Sequence, residues 1–293
     1  FLSNTGKTTT LLFSGDIGRW NKPIINDPVL FEETDYLIIE STYGDTIHED
    51  VADVKSLLKT AINYTTEKGG NLLIPSFAIE RTQELLYYLN KLLAEDSIPH
   101  LLVFLDSPMA INVTEVFEKY KDYFDREMLE FILYKENPFY FSNLKLIKSV
   151  EESKAINHVK GSSVIIAGSG MCTGGRIKHH LANNIWRSEC TVLFIGYQAK
   201  GTLGREIVEG AKQVRIHGKF YPVNAKIMKI NGFSAHADRE ELRRWVSGFK
   251  SSPRKTFVVH GEEKPALSFA ELLRKEKNWD VSVPFYGEEF ILS

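Results

Sequence analysis

Four side chains have types and settings that suit hydrolytic chemistry. Asp16 lies in Phe-Ser-Gly-Asp-Ile-Gly, Glu40 in Ile-Ile-Glu-Ser-Thr-Tyr-Gly, His236 in Phe-Ser-Ala-His-Ala-Asp, and His260 in Val-Val-His-Gly-Glu. For Asp16, Glu40 and His260 an apolar, strand-like run delivers the polar residue at its C-terminal end, where a sheet fixes position and a loop grants access. His236 instead precedes a capped helix. Carboxylate and imidazole are the ligands that zinc accepts where thiolates are lacking. Each residue also has an ordinary reading. Aspartate after Ser-Gly forms turns, and a histidine at a strand end can be a satisfied core residue. Asp238, three residues before Glu241, reads as a helix cap and is given no chemistry. His48, His100, His158 and His217 sit in polar or turn-like settings and are predicted at the surface. The adjacent His179 and His180 are predicted to solvate a helix.

Two further stretches bear on a phosphate-containing ligand. The glycine-rich run Ala167 to Arg176 follows an apolar strand, so its backbone amides could meet a phosphate. It fails the dinucleotide fingerprint, because the sixth position counted from Gly168 is Thr173, and no Gly-Lys-Ser/Thr follows at P-loop spacing. From Arg176 to Lys219 there are eight basic residues, including Arg176, Lys178, Lys200 and Arg205, against three acidic ones. Such a segment either tracks a polyphosphate backbone or solvates a helix face.

Globally the chain announces no partner. Its 293 residues hold 36 basic and 38 acidic side chains, a formal charge of −2, so a polyanion or membrane surface must be met by a local patch. With 43% hydrophobic and 25% charged residues the composition is that of an ordinary globular protein, large enough for one or two joined domains. Only Cys172 and Cys190 occur, which excludes a disulfide scaffold or Cys-rich zinc module and fits a reducing cytoplasm. No run approaches the roughly 18 apolar residues of a membrane span. The chain opens on Phe1 without a basic-then-apolar leader, so it is expected to begin inside a longer polypeptide.

The elements that must position these residues alternate along the chain. Residues 8–13, 36–40, 71–75, 100–105, 163–167, 191–197, 256–260 and 282–286 read as strands, several of them apolar throughout as in a buried sheet. Apolar residues at helical spacing fill residues 51–62, 79–93 and 113–120, a helix opens at Asp238, and Pro265 marks the first turn of another. The alternation predicts an α/β architecture. Residues 124–146 show no clear period.

Taken in order, the motifs resemble the β-CASP branch of the metallo-β-lactamase superfamily, zinc-dependent ribonucleases that include RNase J and the endonuclease of pre-mRNA 3′-end processing. Asp16 matches the family's bridging aspartate, Glu40 its motif A acid, His236 motif B, and His260 motif C. Ile74-Pro-Ser-Phe-Ala78 with Arg81, Asp106-Ser-Pro-Met109, the Gly168–Gly175 loop and Gly196 to Gly204 agree as well. The resemblance implies a partial αββα sandwich, residues 1–45 and 206–293, interrupted by an α/β β-CASP domain at 46–205, with substrate in the cleft.

It further implies two zinc ions, with Asp16 and His260 as ligands, that activate water for in-line attack on a phosphodiester. His236 would contact the scissile phosphate and protonate the leaving oxygen, Ser234 would position that phosphate, and Glu40 would orient the imidazole. Arg176, Lys178, Lys200 and Arg205 would follow the RNA backbone. The implied partners are RNA, single-stranded DNA as a second polynucleotide, a second copy in a homodimer, and no membrane. One family motif, His-x-His-x-Asp-His, occurs nowhere in the 293 residues. The chain by itself is therefore expected to bind zinc weakly or not at all and to be inactive, within a nuclease when whole. Two rival readings are a non-catalytic RNA-binding scaffold of the same family and a hydrolase of small esters or thioesters.

Overall fold

The computed structural model describes residues 2–4, 7–134 and 137–292. In chain order its elements are β1 (Leu2–Asn4), β2 (Lys7–Thr9), β3 (Leu11–Phe13), β4 (Tyr36–Glu40), α1 (Val51–Glu67), β5 (Leu72–Pro75), α2 (Arg81–Ala94), β6 (Leu102–Asp106), α3 (Pro108–Lys119), α4 (Arg126–Tyr134) and β7 (Leu144–Leu146). They continue with α5 (Val150–Ala155), β8 (Ser163–Ala167), α6 (Ile177–Asn184), β9 (Thr191–Phe194), α7 (Leu203–Val208), β10 (Gln213–Ile216), β11 (Lys219–Pro222), β12 (Lys226–Lys229), α8 (Arg239–Val246), β13 (Lys255–Val259), α9 (Glu263–Lys277) and β14 (Val281–Ser282). No helix among the described residues is long and apolar enough to cross a membrane.

The contacts divide the chain into two compact units. The first comprises residues 1–22, 27–48 and 235–293, the second residues 23–26 and 49–234. In the first, four parallel strands run in the order β14-β13-β4-β3. Leu37, Ile39 and Val258 on this sheet pack with Leu242, Trp245 and Val246 of α8 and Ala266, Phe269 and Leu273 of α9 into one core. Helix α8 starts where the sequence predicts. Asp238 accepts from the Glu241 N–H and Glu241 returns a carboxylate to the Asp238 N–H, a reciprocal cap that stabilises by about 1 kcal/mol.

The second unit is built on six parallel strands in the order β12-β9-β5-β8-β6-β7. Its central strands are buried on both faces, which is why they read as continuous apolar runs. Leu72 and Ile74 face the layer of α1 and α2, with Val54, Leu58, Leu85 and Leu89. Leu73, between them, faces the opposite layer of α6, α7 and the β10–β11 hairpin, with Leu181, Ile207, Val214 and Ile216. The result is a three-layer α/β unit.

This unit runs past the 205/206 boundary read from the sequence. The reason is β12, whose residues 226–229 pair with β9 residues 191–194 at the edge of the six-stranded sheet, and which carries the β10–β11 hairpin with it. The chain crosses between the units at 22/23 and 26/27 as well as at 48/49, where the sequence reading has one boundary, at 45/46. The unassigned stretch 124–146 contains α4 and β7, while Lys135 and Glu136 fall outside the described residues. The run 8–13 is two short strands instead of one, paired with different partners.

Candidate metal centre

Three parallel strands deliver three of the four chemical side chains to one edge of the first unit's sheet. Register places Phe13 of β3 beside Ile38 of β4 and Val259 of β13 beside Glu40. Asp16 therefore follows the end of β3, Glu40 ends β4, and His260 follows β13, all at C-terminal strand ends. The turn into Asp16 is held by the Ser14 N–H, which donates to the Ile38 carbonyl, while Ser14 Oγ accepts from the Glu40 N–H at 3.1 Å. Gly15 adopts φ +58°, the left-handed conformation this turn requires. The fourth side chain, His236, arrives on the segment before α8, tied down by the Ala237 N–H, which donates to the Ile17 carbonyl at 2.7 Å.

Asp16, His236 and His260 each offer one ligand atom, and these atoms lie within 4.8 Å of one another. Asp16 Oδ1 is 3.4 Å from His260 Nδ1, and the His236 and His260 rings are 5.6 Å apart. Asp16 and His260 are exposed and His236 half-buried. Behind them Glu40 is 1% exposed. Its Oε1 accepts from the Ile17 N–H, and its Oε2 from the Thr42 hydroxyl at 2.7 Å and from His236 Nδ1 at 2.8 Å. With Nδ1 committed to a buried carboxylate, His236 keeps Nε2 for a ligand or a substrate oxygen. The backbone of His260 is tied in as well, because its carbonyl lies 3.0 Å from the Thr42 hydroxyl.

The donor set fits zinc. One carboxylate oxygen and two imidazole nitrogens converge on one point, with an outer carboxylate fixing a ring, and zinc takes such N/O ligands in tetrahedral sites. The same set supplies three donors, fewer than a two-metal centre uses.

The remaining predicted residues are placed as follows. Ser234 belongs to the second unit and is 2% exposed, its N–H donating to the Asn231 carbonyl at 2.7 Å. Arg176, Lys178, Lys200 and Arg205 also belong to the second unit. Arg176 is engaged within the protein, with Nη1 2.7 Å from Asp106 Oδ1 and Nη2 donating to the Lys148 carbonyl at 2.9 Å. Arg205 likewise pairs with Glu209 at 2.6 Å and donates to the Gln198 carbonyl at 3.1 Å.

Two histidines depart from the surface positions predicted for them. His48 is 7% exposed with Tyr43 edge-on at 4.3 Å, and its backbone N–H donates to Asp238 Oδ2 at 2.9 Å. Burial, with the charge of Arg19, lowers its pKa to about 4. His180 is buried because its Nε2 lies 2.6 Å from Asp106 Oδ2. Asp106 is the centre of that network, taking Ser153 Oγ at 2.5 Å and Arg176 as well, and despite the burial that opposes ionisation these bonds hold its carboxyl below the usual range. Its strand-end position was the signal that could have drawn attention to it.

Asp106 also lines a cavity of about 350 Å³ in the second unit, with Phe77, Ser107, Met109, Ser169 and Arg176. Three parallel strands, β5, β8 and β6, end at it. Its walls include the glycine-rich loop, where Cys172 takes φ +58°.

Comparison with known proteins bears out the family resemblance. Residues 82–207 match the Beta-Casp domain, and residues 221–284 match the Zn-dependent metallo-hydrolase RNA specificity domain. The chain is 37% identical over 288 residues, 98% of its length, to Ribonuclease TTHA0252 of Thermus thermophilus, covering 65% of that protein. It is 34% identical over 274 residues, 90% of its length, to the transcription termination factor FttA of Methanocaldococcus jannaschii, covering 43% of it. An RNase J-like protein of the same archaeon is 33% identical over 285 residues, 94% of this chain and 64% of that one. The chain thus spans less than two thirds of the length of these curated relatives. It belongs to the β-CASP family of metallo-β-lactamase-type proteins, and its fold is the α/β fold with parallel sheets that the motifs implied.

Proposed function

We propose that the whole protein is a zinc-dependent nuclease that hydrolyses phosphodiester bonds of RNA. The observation that carries this reading is the convergence of Asp16, His236 and His260 within 4.8 Å, backed by the buried Glu40. It is supported by membership of a family whose matched domain is described as a zinc-dependent metallo-hydrolase and by relatives named as ribonucleases. In this reading the strand-bearing first unit is the metallo-β-lactamase part and the second unit the β-CASP part.

Zinc, when bound, supplies Lewis acidity and lowers the pKa of water for in-line attack at phosphorus. Asp16 and His260 would hold it. His236 would contact the scissile phosphate and hand a proton from Nε2 to the leaving oxygen, with Glu40 stabilising the charged imidazole through Nδ1. Because three donors converge here among the described residues and His-x-His-x-Asp-His is absent from the 293 residues, this chain by itself is read as a weak zinc binder without activity, and a two-ion centre is proposed for the whole protein only.

The test is a substrate panel of labelled single-stranded RNA, single-stranded DNA and a thioester, presented to the zinc-loaded whole protein. RNA cleavage abolished by Asp16→Ala is the expected result. Turnover of the thioester alone, or of nothing, would overturn the reading.

A further inference from the structure

Between Gly210 and Ala237 the chain contains no aspartate or glutamate, while Lys212, Arg215, Lys219, Lys226 and Lys229 all fall there. All five are exposed. In a chain of formal charge −2 this is a concentrated positive surface. Arg215 and Lys219 lie in the hairpin β10–β11 and Lys212 just before it; the hairpin's first strand and tip fall in residues 208–220, between the two matched domains and covered by neither.

The hairpin has a dry face and a wet face. Val214 and Ile216 are buried against α6 and α7, anchoring it to the unit. Its tip is fixed by His217, whose ring stacks on His179 of α6 at 4.4 Å. On the outer face Arg215 stands directly across from Phe220, its guanidinium carbon 6.0 Å from the ring centroid. Phe220 is 66% exposed, although a phenyl ring on a two-stranded hairpin gains nothing from facing water.

We propose that the outer face and tip of this hairpin dock single-stranded RNA, with Phe220 stacking on a base, Arg215 beside it on the outer face contacting a phosphate, and Lys219 at the tip contacting another. A stacking ring set among cations on a rigid ribbon is the arrangement that grips unpaired nucleotides without reading their sequence. Of the cations predicted from sequence, Arg176 and Arg205 suit this role less, because each holds a carboxylate of the protein, whereas Arg215 makes a long, 3.4 Å bond to the Gly218 carbonyl within the hairpin tip. A protein partner would call for a broader apolar surface, and Phe220 is the one large apolar side chain among the outer-face residues Gln213, Arg215, Phe220 and Pro222. The inference rests on the RNA-cleaving reading for its ligand class and adds to it a contact surface away from the metal ligands in sequence.

The experiment is fluorescence anisotropy on the whole protein, stripped of zinc, with a labelled single-stranded RNA of about a dozen nucleotides. Phe220→Ala weakens binding about tenfold and Phe220→Trp restores it, while binding of duplex RNA, whose bases are already stacked, does not respond to either. Arg215→Gln with Lys219→Gln lowers the slope of log affinity against log salt by about 1.4, at about 0.7 per phosphate contact on a single strand. All positions are exposed, so unchanged near-ultraviolet circular dichroism confirms the fold. Unchanged affinity and salt slope in these variants would overturn the proposal and leave the nuclease reading intact if Asp16→Ala still abolishes cleavage. Hairpin-dependent RNA binding by a protein that cleaves no RNA supports the docking surface and removes the nuclease. Loss of a dimer in Phe220→Ala, with RNA affinity unchanged, would also overturn it.

Discussion

Burying a carboxylate costs several kcal/mol unless its lone pairs are met, and Glu40 meets that cost with an amide, a hydroxyl and an imidazole. Removing it would leave His236 free to rotate and the Ile17 amide unpaired. Glu40→Ala is therefore expected to lower stability by about 3 kcal/mol and RNA cleavage by the whole protein by about 10- to 100-fold, read by urea denaturation and by single-turnover cleavage. His48 makes a pH-dependent contribution. Burial and the Arg19 charge lower its pKa from 6.5 to about 4, so the unfolded chain takes up the proton first. The stability this neutral ring confers is complete above about pH 6.5 and is lost as pH falls towards 4, by about 3 kcal/mol in all. Urea midpoints measured between pH 7.5 and 4.5 should fall more steeply for the wild type than for His48→Phe; equal slopes would refute the assignment. The burial of His48 was not legible in the sequence, because the polar neighbours Asp45, Thr46, Glu49 and Asp50 disguise a ring held against Tyr43.

At the scale of elements, the site depends on parallel strands ending at one edge, and this part was readable. The runs 36–40 and 163–167 form strands with the predicted bounds, since both are apolar, β-branched and stopped by Ser41 or Gly168. The hairpin at 213–222 escaped because its strands are four residues long and alternate Val214 and Ile216 with Gln213 and Arg215 over too short a span. Helix α6 was legible as the helix carrying His179 and His180, although it emerges directly from a glycine-rich loop without a side-chain cap. The glycine after His260 has an element-level role that its sequence does not advertise. A Cβ on Gly261 would sit 2.7 Å from the Ser41 carbonyl oxygen and 2.4 Å from its hydroxyl, wedging β13 from β4 at the edge that holds the site. Gly261→Ala should cost about 1–3 kcal/mol and displace His260, seen as a lower denaturation midpoint together with weakened zinc binding. Normal zinc affinity in a destabilised variant would show that the strand edge does not position the ligand.

For the molecule as a whole, near-neutral charge was a poor guide. A formal charge of −2 conceals the acid-free segment from Gly210 to Ala237, and nothing in the polar-apolar pattern of residues 206–234 shows that β12 completes the larger sheet. The metal centre was legible to a greater degree, because its residues sit in the short motifs Ser-Gly-Asp, Ser-Ala-His and His-Gly-Glu, which are independent of distant packing. The account stands on one claim, that Asp16, His236 and His260 form a single zinc-dependent centre that cleaves RNA. The measurement that tests it most directly is zinc content and single-turnover RNA cleavage of the whole protein beside Asp16→Ala, His236→Ala and His260→Ala. The account predicts loss of zinc in Asp16→Ala and His260→Ala, and loss of cleavage by at least about a hundredfold in all three. Full cleavage by any of these variants, or cleavage by the wild type that survives removal of zinc, would contradict it.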